Sequence, residues 1–373
     1  MLPVSVLDLS PINVGATIAE SFAHSVELAQ TAERLGYKRI WFAEHHNMPG
    51  IASAATSVLL CHIGNHTKCI RIGAGGIMLP NHSPLAIAEQ FGTLATLFGD
   101  RIDLGLGRAP GTDPATMRAM RRHGHQEEDS FPDDVVDILH YFDDAGKSRI
   151  QAIPGMGTHI PVWILGSSTY GAQLAAHLSL PYSFASHFAP QLLGQAIHLY
   201  RSNFKPSKHL SKPYVTLAVN VVMADTMEEA QYQFTSLQQS FLSNRRGQRT
   251  PVPRPVENMD DIWNEAEKAM VMQGLSCSFV GTPVSVQMQL DAFRANYQPN
   301  EIMITQRIFD HATRLRSLEL FKSLNFSSTI PLRRDFYFPL ILCQNPHSSL
   351  IACLHRLNTH KKRPVKHKHY LSF

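Results

Sequence analysis

The stretch Ile102-Asp103-Leu104-Gly105-Leu106-Gly107-Arg108-Ala109-Pro110-Gly111 is an apolar run that ends in glycines and delivers an arginine to a turn. Glycine lets backbone approach a ligand closely, and a guanidinium can grip a phosphate or carboxylate with paired donors. The run therefore has the parts of an anion site. It also resembles the start of a G-x-G-x-x-G dinucleotide fingerprint, but Pro110 stands where the third glycine belongs and Gly111 comes one position late. A glycine-rich strand-to-helix corner that binds nothing has the same local appearance, so the wider pattern must decide.

That pattern is an alternation. Apolar β-like runs at 4–9, 39–43, 70–74, 102–106, 162–165, 182–185, 214–223 and 301–305 alternate with helical patterns. The helical patterns fall at 17–35, 53–63, 84–97, 113–122 followed by 129–142, 170–177, 190–203, 226–243 and 283–295. Gly36 closes the first helix, and Thr226 with Glu229 three residues on reads as a cap. Eight strands each followed by a helix predict an α/β protein, a closed TIM (β/α)8 barrel of the kind that needs about 250 residues. A doubly wound open sheet is the alternative. Residues 245–274, with Pro251, Pro253 and Pro255 before a helical stretch holding Trp263, read as an insertion before the last helix-strand pair, a lid or a subunit contact. The barrel domain is expected over 1–325, with a divergent basic tail at 326–373.

At 373 residues and 44% hydrophobic content the chain can bury one large core or two medium ones. No run of about 18 apolar residues occurs, and Asp8 interrupts the place where a signal peptide would be apolar, so neither a membrane partner nor export is expected. Cys61, Cys69, Cys277, Cys343 and Cys353 are odd in number and lack C-x-x-C spacing, which predicts reduced thiols in a cytoplasm. Charge is segregated: residues 331–373 hold eight Lys or Arg against Asp335 alone, leaving 26 basic and 29 acidic residues before them. The body is mildly acidic, so no nucleic-acid partner is expected from it.

In a barrel, function gathers at the C-terminal strand ends. The second strand ends in Glu44-His45-His46-Asn47, a carboxylate and imidazoles able to orient a ring or donate a proton. A metal is not expected, because adjacent strand residues face opposite ways and no second ligand pair sits at another strand end. The third ends in Gly73-Ala74-Gly75-Gly76, which leaves room for a flat ligand or an unusual peptide geometry, or marks a bulge. The fifth gives Leu165-Gly166-Ser167-Ser168-Thr169-Tyr170-Gly171 at a helix start, an anion site or an ordinary Ser168 cap. The sixth contributes Ser186, His187 and Phe188, a polar group and an aromatic wall.

The segments 7–12, 41–47, 75–84, 101–111, 166–168 and 185–190 together resemble the bacterial luciferase-like flavin monooxygenases over roughly residues 3–320, most strongly the cytoplasmic branch similar to the alkanal monooxygenase alpha chain. The resemblance implies FMN across the barrel mouth, reduced by a separate reductase and used with O2 to oxygenate a small organic substrate. It implies that Gly107, Arg108, Ser167 and Ser168 bind the phosphate, with Arg122 a further candidate. Gly75 and Gly76 would form a ledge under the ring, often a non-proline cis peptide. Glu44 and His45 would line the flavin face, His45 as the acid or base. A homodimer is the expectation from the same source. The chain departs from the family at Gly171, where a serine is common, and at Ser179, where a glycine is usual. Two alternatives stay open: deazaflavin-dependent hydride transfer without oxygen, and a non-catalytic flavin-binding protein. After a motif like Phe309 to Ser317, family members end soon, whereas here 323 onward is unrelated in character and is expected to be a loosely ordered, frameshifted or degenerate end.

Overall fold

Nine parallel strands and eleven α-helices alternate through the residues that the computed structural model describes, 1–109, 111–120, 130–144 and 149–326. In order they are β1 (Val4–Asp8), α1 (Ile18–Arg34), β2 (Arg39–Phe42), α2 (Thr56–His66), β3 (Arg71–Met78), α3 (Pro84–Phe98), β4 (Ile102–Gly107), α4 (Pro114–Met120) and α5 (Phe131–Phe142). Then follow β5 (Val162–Gly166), α6 (Thr169–His177), β6 (Tyr182–Phe184), α7 (Leu193–Asn203), β7 (Val215–Met223), α8 (Met227–Arg245), α9 (Glu265–Gly274), β8 (Ser278–Gly281), α10 (Pro283–Tyr297), β9 (Glu301–Thr305) and α11 (His311–Lys322). The sheet runs β6-β5-β4-β3-β2-β1-β9-β7, and pairing of β6 with β7 closes it into the TIM barrel. The described residues fall in one compact unit spanning Met1–Pro331. The predicted tail, from 327 onward, and Arg122 lie outside the described residues.

Local chemistry sets the helix starts. Thr17 and Glu20 form a reciprocal capping box on α1, Asn264 and Glu267 do the same on α9, and Thr226 accepts from the Glu229 N–H at the start of α8 as the sequence predicts. The strands are buried on both faces, as parallel strands covered by helices must be; every residue of β7 is buried.

One strand escapes the sequence reading. β8 pairs with the far end of β7, Asn220↔Ser278 to Met223↔Gly281, while β9 takes the middle of β7 and β6 its start. β7 spans nine residues and so has edge to spare beyond the barrel. The segment 245–274 does follow the seventh barrel strand, but it leads into this extra strand before the last helix-strand pair.

The barrel interior is layered. At the N-terminal end Arg39 holds Asp103 at 2.6 Å and Glu301 at 2.9 Å, all three buried, and Arg71 adds a second contact to Asp103 at 2.6 Å. Above this ionic layer Trp41 and Trp163 meet edge to face at 5.1 Å among Leu7, Ala43, Ala218 and Met303. That apolar layer is the floor on which the mouth is built.

Candidate active site

A cavity of about 890 Å³ opens at the C-terminal strand ends, near the upper size of small-molecule sites. Its floor is Leu7, Ala43, Ala218 and Met303; its walls include His45, Gly75, Gly76, Gly107, Arg108, Ser167, Ser168, His187 and Arg307. Eight strand ends thus bring together residues up to 300 positions apart in sequence.

One side of the cavity is built by β4, β5 and α6. Ser168 is the N-cap residue of α6, yet its side chain accepts no bond from the helix. Ordinary side-chain capping is therefore not its role. Tyr182 holds the Ser168 carbonyl at 3.1 Å. Arg108 lies 3.9 Å over the Tyr170 ring, which ties the β4 loop to the first turn of the same helix. A Cβ added at Gly107 would lie 2.9 Å from the Met78 methyl, the end of a flexible side chain that would have to shift.

The ledge is β3. Gly75↔Gly105 and then Ile77↔Leu106 pair across to β4, so Gly76 is an extra residue in the ladder and the Gly75-Gly76 peptide is cis. The bulge and the unusual peptide, which the sequence leaves as alternatives, occur together. A Cβ on Gly75 would meet Leu7 and Trp41 at 2.9 Å, and one on Gly76 the Gly105 carbonyl at 2.6 Å. Both clashes lie beneath the ledge, so glycine here is a packing requirement of the barrel as well as an opening for a ligand.

His45 and Glu44 part company. His45 lines the cavity with its backbone N–H on the Ser53 carbonyl at 3.1 Å, and its Nδ1 is buried without a hydrogen-bond partner. Burial, Arg307 and His46 hold its pKa down at about 4 against the pull of Glu44, so it is neutral at physiological pH. Glu44, by contrast, is 1% exposed and is not part of the cavity wall. Its carboxylate accepts from His46 Nε2 at 2.7 Å, His82 Nε2 at 2.8 Å and the Met78 N–H at 2.9 Å. Burial works to raise its pKa, but these bonds and the charge of His82 outweigh burial and keep it below the usual value. The expectation that Glu44 lines the flavin face is corrected accordingly: the carboxylate is consumed in bracing the β3 loop, which positions the ledge.

Sequence reasoning passed over Arg307, two residues beyond β9, and Asn220, which ends the β9-paired part of β7 and holds the His187 carbonyl at 2.6 Å and Ser278 at 3.0 Å. Asking the strand-end question of the seventh and eighth barrel strands would have found both. His187 lines the cavity, its Nδ1 also buried without a partner, and burial, Arg307 and His45 push its pKa down to about 3. From either side of the inserted region come Leu237 and Phe241 of α8 and Leu275, an apolar wall with no sequence signature. Arg249 clasps the inserted region to the mouth loops through Asp113 at 2.7 Å and the Asn47 carbonyl at 3.1 Å.

A closed (β/α)8 barrel with an apolar-floored pocket and a neutral imidazole at its mouth has the architecture of a barrel enzyme. The chain belongs to the luciferase-like monooxygenase family, whose signature matches residues 3–297. It is 53% identical over 317 residues to a luciferase-like monooxygenase of Escherichia coli K12, covering 85% of this chain and 95% of that one. The crystal structure of apo-MsnO8 superposes with a TM-score of 0.77 at 31% identity, covering 86% of this chain and 98% of that one. The oxygenating constituent of 3,6-diketocamphane monooxygenase from Pseudomonas putida, in complex with FMN, shares the fold at a TM-score of 0.66 and 15% identity, covering 86% and 97%.

Proposed function

We propose that the chain is an FMN-dependent monooxygenase that uses reduced flavin and O2 to oxygenate a small organic substrate. The observation that carries this reading is the pairing, in one cavity, of the glycine ledge on β3 with Arg108, Ser167, Ser168 and the start of α6. A flat ring needs the ledge and a phosphate needs the donors. FMN, when bound in reduced form, supplies the electrons for reaction with O2.

The chain's own contribution is positional. Arg108 and the α6 amides fix the phosphate, Gly75 and Gly76 carry the ring, and Glu44 holds that ledge from behind. Leu7, Ala43, Ala218 and Met303 exclude water from the ring's surroundings, which strengthens every polar contact made there. His45, which lines the cavity and is neutral at physiological pH, can accept a proton or donate one.

Supply of reduced FMN by a separate reductase, a cytoplasmic setting and a homodimeric assembly belong to the same proposal. Free thiols at Cys61, Cys69 and Cys277 accord with a reducing compartment, and among the described residues no helix is long and apolar enough to cross a membrane. The test is anaerobic titration of the purified protein with FMN and with deazaflavin, followed by oxygen uptake with reduced FMN. Arg108→Ala should weaken FMN binding by roughly 10–100-fold, the worth of one charge-assisted contact, and lower the melting temperature only slightly through the lost Tyr170 contact. Equal FMN affinity in the mutant, or binding of deazaflavin alone, overturns the reading.

A further inference from the structure

We infer that Arg307, together with His45 and His187, forms a second anion subsite in the cavity and that the substrate it receives carries a carboxylate. The inference rests on the proposed flavin chemistry for its purpose, but its physical basis is separate.

Arg307 follows β9, and in the ring of eight barrel strands β9 stands opposite β4. The backbone positions that carry Arg307 and Arg108 thus belong to opposite sides of the barrel, and both side chains line the one cavity. Among the described residues Arg307 makes no ion pair or hydrogen bond with its side chain, although it lines the cavity. The charge that bears on it is a second cation, Arg314, already committed to Asp8 at 2.7 Å. Burial and Arg314 push the Arg307 pKa down to about 10, which leaves it cationic at neutral pH.

A half-buried cation without a counter-ion has given up part of its hydration and gained no ion pair. An anion that enters the cavity would meet that unopposed charge. Two imidazoles that feel the same guanidinium, His45 and His187, line the same cavity, and each has a buried Nδ1 with no partner. Being neutral, they add hydrogen-bonding capacity and no charge, so the subsite holds one positive charge. That count matches a monoanion, and the planar guanidinium matches a carboxylate with two parallel bonds. The cavity has volume for a second ligand beside a cofactor.

The probes are benzoate and benzamide, alike in shape and different in charge. Binding is measured by calorimetry on the protein alone and on the FMN-loaded protein, and in the second case also by the perturbed absorbance of bound FMN. Wild type should favour benzoate by about 10-fold or more; Arg307→Gln should abolish the preference and Arg307→Lys should keep part of it. Arg307→Gln should hold FMN within about twofold of wild type and melt no lower, because it removes an uncompensated charge. Equal affinities in wild type, or a preference that survives Arg307→Gln, overturn the inference. So does an Arg307→Gln variant that loses FMN affinity while keeping the benzoate preference, since the charge would then serve the cofactor. If the protein takes no FMN at all, the proposed function fails, yet the benzoate measurement on the protein alone still decides the subsite.

Discussion

At the residue scale the site is governed by which groups have spent their polar capacity. His45 and His187 keep a buried nitrogen unpartnered and pKa values of about 4 and about 3, below the ordinary 6.5. A histidine with a depressed folded pKa binds fewer protons than the unfolded chain, so its stability is complete above pH 6.5 and is lost as pH falls toward 4. Each group can withdraw stability at up to about 1.4 kcal/mol per pH unit in that window. Thermal melts from pH 7 to pH 4 should fall steadily, and His187→Gln should flatten the slope; an unchanged slope refutes the assignment. A second contrast separates packing from binding. Arg108→Ala removes a ligand contact, whereas Gly76→Ala drives a Cβ to 2.6 Å from the Gly105 carbonyl, which is backbone and cannot swing away. Gly76→Ala should cost about 1–3 kcal/mol of stability and FMN binding with it, measured by denaturant unfolding and FMN titration. These roles were only partly legible in the sequence. Arg108, Ser168 and the glycine pair announce themselves by composition at a strand end. Glu44 reads the same way locally, but its bonds to His46, His82 and Met78 depend on how the β2 and β3 ends meet.

At the element scale the mouth is a set of loops held by a few polar clasps. Glu44 joins the end of β2 to the end of β3, Arg249 joins the inserted region to both the Asn47 and the Asp113 loops, and Asn220 joins β7 to His187 and to β8. Removing the buried Glu44 carboxylate leaves the half-buried Met78 N–H and two half-buried imidazoles without their acceptor. Glu44→Ala should therefore destabilise by about 2–4 kcal/mol and weaken FMN binding through the displaced ledge. The two effects are read from unfolding and from FMN titration; loss of oxygenation with both left intact would instead make Glu44 catalytic. The element alternation was legible because parallel strands covered by helices are continuous apolar runs of recognisable length. β8 was not, because Ser278-Phe279-Val280-Gly281 is four residues long and pairs only because β7 overshoots the barrel.

At the scale of the whole molecule, charge and fold divide at the same point in the chain. Residues up to 330 hold 26 basic and 29 acidic side chains, and those from 331 hold eight basic and one acidic, while the compact barrel unit spans Met1–Pro331. The end of the described barrel is tied in: the Phe326 carbonyl accepts from the Leu2 N–H at 3.3 Å and from Arg294 at 3.2 Å, and its ring packs 5.6 Å from Phe321. A cut at 325 would remove those ties, whereas a chain of residues 1–331 keeps them along with every cavity residue. The 1–331 protein should therefore match the full chain in melting temperature and in FMN affinity. Its surface charge should differ sharply, since the excess of +7 beyond residue 330 outweighs the −3 of the rest. At neutral pH the full chain should be retained on a cation-exchange resin and released by salt, and the 1–331 protein should pass through, because only a clustered excess of one sign resists screening at moderate ionic strength. A 1–331 protein that melts lower or loses FMN would show that the basic segment supports the barrel, and then charge would not be its only contribution.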